Sequence, residues 1–148
     1  MRDRTETIIR LLALLGIVLA LYSLSLHYDS GGASLCDFND TFNCDKVNRS
    51  PWSEFLGVPV ALLGALAYLA LFLAVQLRRP VQRALAFTDR DYLGYVALLA
   101  TGMLGFQVYL TMIELLMIHA YCAVCLMSQA LTILVTVLAI SRWQSSKR

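Results

Sequence analysis

Four cysteines in two pairs are the residues here whose types and spacing suit chemistry. Cys36 and Cys44 lie in a polar stretch and enclose Asp-Phe-Asn-Asp-Thr-Phe-Asn, while Cys122 and Cys125 form Cys-Ala-Val-Cys at the head of an apolar stretch. Residues three apart share a helix face, so a helix starting here places Cys125 about one turn deeper than Cys122. Cys-x-x-Cys opening a helix is the usual setting of a reversible disulfide. The helix end presents free N–H groups to the sulfurs, whereas apolar surroundings oppose a charged thiolate, and the two influences compete. The alternatives for this pair are two small apolar residues in a helix interface or a zinc half-site, which needs two further ligands, His119 being the nearest candidate. A disulfide across the nine residues from Cys36 to Cys44 is worth only ~2.6 kcal/mol by chain entropy, so a structural staple stays open beside a redox pair. With both pairs on one side, a loop that carries one disulfide to the other becomes a route for electrons by thiol–disulfide exchange. The lipid-soluble acceptor for two electrons and two protons is a quinone.

The elements that position these residues follow from composition. The 148 residues are 59% hydrophobic and 15% charged, with mean hydropathy +0.66. Soluble domains are less apolar and more charged. A bilayer core needs ~20 apolar residues in a helix, and four stretches qualify: residues 8–26, 58–77, 92–116 and 120–140. They predict an all-α integral membrane protein, a four-helix bundle forming a single domain. Residues 27–57 form a polar outer loop, 78–91 a basic connector, and the last two spans a tight hairpin. The first span exceeds a signal-peptide core and lacks a small-x-small cleavage site, so it reads as retained. A net charge of +2, with no basic block interleaved with aromatics, argues against nucleic acid.

Arg2, Arg4, Arg10, Arg78, Arg79, Arg83, Arg90, Arg142, Lys147 and Arg148 fall on one side of this arrangement, and only Lys46 and Arg49 on the other. The positive-inside rule makes both termini and the 78–91 connector cytoplasmic. Both cysteine pairs then face the periplasm or its equivalent, the side that permits disulfides.

The ordered motifs resemble the vitamin K epoxide reductase family, its bacterial branch in particular, over residues 8–140. The matching features are Cys-x7-Cys in the first outer loop, Ser50, the Ser-Glu-Phe-Leu-Gly-Val-Pro stretch from Ser53 to Pro59, Gly64 and Tyr68, and Tyr-Cys-Ala-Val-Cys from Tyr121 to Cys125. The resemblance implies a bundle around a quinone of the ubiquinone or menaquinone (vitamin K) type. Its cap is the extracytoplasmic cysteine loop and a short half-helix over residues 51–56. By the same match Cys125 stands beside the quinone, Cys122 exchanges with the loop, and Cys36 and Cys44 take electrons from a partner. Ser50 matches a serine near the active site, and Val60, Leu63, Tyr68, Cys125 and Gln129 are the expected quinone contacts. Vertebrate members place an asparagine and a tyrosine at the positions of Val60 and Gln129, which favours a thiol-oxidase role over reduction of vitamin K epoxide. The chain is too short for a fused thioredoxin-like domain, so a separate thioredoxin-fold thiol protein is the implied partner. A different class, a non-catalytic membrane protein with two structural disulfides, is separated from these by whether the disulfides are reducible.

Glu114 near the outer end of the third span is an acidic residue at membrane depth, either chemically active or reaching water from a helix end. His119 and Glu54 carry the same choice between proton handling and a plain interfacial charge. Gly94, Gly102 and Gly105 are expected to permit close helix packing. Tyr28, Trp52, Tyr92, Tyr121 and Trp143 are expected in an interfacial belt. Asn39-Asp-Thr and Asn48-Arg-Ser match the glycosylation pattern.

Overall fold

The apolar stretches form long helices whose outward faces are themselves apolar. A computed structural model describes residues 2–28 and 36–146. Helix α1 (Arg2–Tyr28) leads to a short α2 (Cys44–Asn48), a 3-10 turn (Pro51–Ser53) and a hairpin of β1 (Glu54–Phe55) and β2 (Val58–Pro59). Then come α3 (Val60–Gln76), α4 (Arg78–Leu85), α5 (Asp89–Ile113) with a π turn (Glu114–Ile118), and α6 (Ala123–Ser145). Among the described residues three helices are long and apolar enough to cross a membrane, and four if α3 and α4, bent by 77° at their junction, count as one broken span. Lys147 and Arg148, counted in the charge asymmetry, lie outside the described residues.

Leu11, Leu15 and Val18 on α1, Leu66 and Leu69 on α3, and Leu134 and Val137 on α6 face outward. The interior holds smaller residues: Ala13, Ala97, Ala100, Val135 and Ala139 are buried at the helix crossings around Leu71. An apolar exterior over a small-residue interior suits lipid, where close backbone approach drives packing in place of hydrophobic collapse. Helix α1 packs chiefly on α3, and α5 on α6. Among the described glycines the closest approach is at Gly16, where any Cβ would run into the ring of the buried Tyr68. Of the three expected packing glycines only Gly94 has a neighbour, Trp143, whose Nε1 would lie 3.2 Å from an added Cβ; Gly102 and Gly105 meet nothing.

Basic and acidic groups gather at the end of the bundle away from the cysteines. Arg78 pairs with Glu6 and, at 3.1 Å, with Asp89, while Arg142 lies 3.4 Å from Glu6. These contacts tie the start of α1, the α3–α4 bend and the end of α6 together, so both chain ends lie at one end of the bundle. Tyr92, expected in the interfacial belt, is instead buried there and donates to the Ala74 carbonyl at 2.5 Å.

Two expected boundaries move for local reasons. The connector over 78–91 is mostly helical, with Arg78 turned inward to its carboxylates. The half-helix expected over 51–56 is a single 3-10 turn followed by the hairpin, which pairs Glu54 with Pro59 and Phe55 with Val58. Leu56 (φ 54°) and Gly57 (φ 78°) form its corner, and positive φ at both corner positions is what a tight two-residue hairpin requires.

Candidate functional site: two stacked cysteine pairs and a cavity

Asn43 caps α2, its side-chain oxygen accepting from the Lys46 N–H at 2.7 Å, and so sets Cys44 at the first position of that helix. Asn39 shapes the loop before it, its Oδ1 accepting from the N–H groups of Thr41 (2.9 Å) and Phe42 (2.8 Å). This turn engages the first glycosylation asparagine within the loop's own fold. The loop docks on the strand-like lead into α6: the Tyr121 N–H donates to the Thr41 carbonyl at 2.7 Å and the Asn43 N–H to the Tyr121 carbonyl at 3.1 Å. Residues 120–122, expected in the last span, therefore precede the helix in extended form.

Cys122 is the N-cap of α6, and its Sγ accepts from the Cys125 N–H at 3.2 Å. Both pairs are disulfides, Cys36–Cys44 with Cα atoms 5.8 Å apart and Cys122–Cys125 with 5.1 Å. Cys36, Cys44 and Cys122 share one buried cluster with Leu26, Val47 and Ala120, and Cys125 packs against it. Asn48 spans the pairs: its Nδ2 donates to the Cys44 carbonyl at 2.9 Å and lies 3.7 Å from Cys122 Sγ. Among the described residues Cys36, Asp37 and Cys44 are the one group of metal-type donors close together. Their two sulfurs are bonded to each other, and His119, the candidate ligand for the Cys122–Cys125 pair, is exposed.

Behind Cys125 opens a mainly apolar cavity of about 130 Å³. Cys125 is the one cysteine among its lining residues, which also include Val60, Tyr68, Gln129 and Ser50. Leu63, an expected contact, is not on that wall. The Ser50 hydroxyl donates to the Val47 carbonyl at 2.8 Å, and Gln129 Oε1 accepts from Thr111 Oγ1 at 2.7 Å. Tyr68 OH is enclosed by the Ser128 carbonyl (2.8 Å), Ser128 Oγ (2.8 Å) and Thr132 Oγ1 (2.7 Å).

Several lining residues were not singled out by sequence. Gln107 donates from Nε2 to Ser128 Oγ at 3.1 Å, and its buried Oε1 has no partner among the described residues. His27 has Nδ1 2.8 Å from the Asn48 carbonyl and 3.2 Å from Ser53 Oγ, with Nε2 3.4 Å from exposed Glu54. Glu114 is 5% exposed, and its Oε2 accepts from the Cys122 N–H at 3.1 Å. The π turn that follows it, closed by His119 at φ 53°, leaves Leu115, Leu116 and Met117 outside while Glu114 points in. Wide turns of this kind recur at functional sites. The acidic position was visible in the sequence; its inward aim depends on a turn that no local pattern announced.

Apolar spanning helices with two disulfides stacked at one end, one of them on a cavity wall, define a redox protein of the membrane. The chain belongs to the vitamin K epoxide reductase family, whose model matches residues 7–140. Members are oxidoreductases associated with quinone and vitamin K chemistry.

Proposed function

We propose that this protein is a quinone-dependent thiol oxidase that generates disulfides in a separate thioredoxin-fold partner. One observation carries the reading: the two cysteine pairs share one buried cluster, yet of the four sulfurs only Cys125 belongs to the cavity. A structural staple needs no such order; a relay does. The residues fit a quinone head group, with apolar walls and a few polar atoms, among them the unpaired amide oxygen of Gln107. Unsatisfied polar atoms are costly at membrane depth, and a hydroxyl on a reduced head group satisfies this one. When bound, the quinone supplies the sink for two electrons and two protons.

The chain's own steps follow from thiol–disulfide exchange. A partner thiolate attacks the Cys36–Cys44 disulfide, forming a mixed disulfide and releasing one loop thiol. The second partner thiol resolves it, so the partner leaves oxidised and the loop carries two thiols. A loop thiolate then attacks Cys122, Cys125 is released as the leaving thiol, and closure of Cys36–Cys44 leaves the inner pair reduced. Asn48 holds the pairs together and gives Cys122 Sγ a donor as charge develops there.

The side of the membrane is part of the proposal. The ten-to-two split of basic residues, with the Glu6–Arg78–Arg142 group at the far end of the bundle, supports cytoplasmic termini and periplasmic cysteines in a cytoplasmic membrane. Trapping tests the relay. Cys125→Ala leaves Cys122 without its partner, so oxidation is expected to give a disulfide between Cys122 and a loop cysteine by peptide mapping. Cys122 remaining a free thiol beside an intact Cys36–Cys44 disulfide sinks the relay.

A further inference from the structure

Glu114 lies within the molecule where a side chain is costly unless used. It is buried, it points inward from the π turn, and it joins two places that the reaction must connect. Its carboxylate holds the Cys122 N–H at 3.1 Å, and it lines the same cavity as Cys125. A neutral acceptor suffices to satisfy one backbone N–H, so a carboxylate at this depth is more than that role requires.

We propose that Glu114 carries a proton between the inner cysteine pair and the electron acceptor in the cavity. The inference rests on the thiol-oxidase reading for its acceptor, a quinone. Cys122 and Cys125 begin the step as thiols. Formation of their S–S bond releases two electrons to the acceptor and frees two protons. The Cys125 proton is released at the cavity wall. Cys122 is fully buried (0% exposed) and is not on that wall; its proton needs a carrier. Glu114 takes that proton and delivers it to the acceptor, returning to carboxylate. The acceptor gains two electrons and two protons, and Glu114 is unchanged over the cycle.

Other titratable groups face the same space. His27 and Tyr68 line the cavity with Cys125, Glu54 contacts His27 from the exposed side, and His119 ends the same π turn facing outward. Tyr68 has its hydroxyl enclosed by Ser128 and Thr132, and His27 is held by Asn48 and Ser53. Among the described titratable side chains only the Glu114 carboxylate bonds to the inner pair's backbone and also reaches the cavity.

Glu114→Gln separates proton carriage from capping, because the amide oxygen still accepts the Cys122 N–H but carries no transferable proton. The full-length variant is expected to slow quinone reduction at least tenfold and to alter its pH profile, while the loop pair exchanges with Cys122 at the wild-type rate. A second readout needs no quinone. With glutamate carboxyls isotopically labelled, the infrared difference spectrum between oxidised protein and protein reduced by dithiothreitol is expected to show a glutamate carboxyl band shifted between the two states, because the carboxylate hydrogen-bonded to Cys122 meets a thiol in one and a disulfide in the other. That band disappears in Glu114→Gln. Should that variant fail to fold, Glu6→Gln and Glu54→Gln assign the band, since the chain has three glutamates. Wild-type rate and pH profile in Glu114→Gln, or no glutamate carboxyl change on reduction, overturns the proposal. If wild-type protein reduces no quinone, the thiol-oxidase reading fails, and the infrared result still decides whether the Glu114 carboxyl answers to the thiol state of the cysteine pair.

Discussion

Asn48 bonds within the loop and across to Cys122, so one amide holds the outer pair against the inner. Replacing it with alanine leaves the Cys44 carbonyl without that donor and takes a dipole from Cys122 Sγ. Loss of a buried hydrogen bond is worth about 1–3 kcal/mol, and about 1.4 kcal/mol is tenfold in rate. Asn48→Ala is therefore expected to slow exchange between the pairs about tenfold, measured by quenching with an alkylating reagent and mapping the thiols. An unchanged exchange rate means that Asn48 only braces the loop. Gln107 offers a separate prediction at the cavity. Gln107→Leu removes the unpaired oxygen, so KM for quinone is expected to rise severalfold while exchange between the pairs is unaffected. The cysteines were legible because their chemistry is rare and their spacings are local. Asn48, His27 and Gln107 were not, because their roles come from partners that the fold brings from elsewhere in the chain.

The helices need correct crossings more than individual propensity, and among the glycines the closest contact is Gly16 under Tyr68. Gly16→Ala forces the ring away and strains its hydrogen bonds to Ser128 and Thr132. Overpacking of this kind costs about 1–3 kcal/mol, so the thermal midpoint in detergent is expected to fall. Because the clash is with one ring, adding Tyr68→Ala is expected to cost less in the Gly16→Ala background than in wild type. Additive losses contradict that contact. Long apolar stretches announced the helices, but short elements depended on geometry that composition hides. The segment from Pro51 to Pro59 reads as helix by its first residues and turns into a hairpin because Leu56 and Gly57 adopt positive φ. Helix α6 starts later than the expected last span because Tyr121 is held in an extended bridge to Phe42.

Across the described residues, the buried arginine cluster and the sulfurs occupy opposite ends. Arg78, Arg142 and Glu6 hold one end, and the four cysteines lie at the other. Four clear hydropathy peaks and a one-sided distribution of arginine made this polarity readable from sequence; the bend between α3 and α4 was not, since Arg78 turns inward to meet Glu6. A membrane-impermeant thiol reagent applied to intact cells after mild reduction is expected to label a single-cysteine variant retaining Cys36, and to miss a cysteine introduced at Ser145. The reverse pattern contradicts the proposed orientation. The central claim is that electrons leave the cysteine pairs through Cys125 to a quinone, and its most direct measurement is quinone absorbance. Purified protein, a reduced thioredoxin-fold protein and either ubiquinone or menaquinone are mixed, and quinone loss is followed against disulfide formed in the partner. The account predicts one quinone reduced per partner disulfide with at least one of the two quinones, and none in Cys125→Ala. No quinone consumption with either, or undiminished consumption in Cys125→Ala, contradicts it.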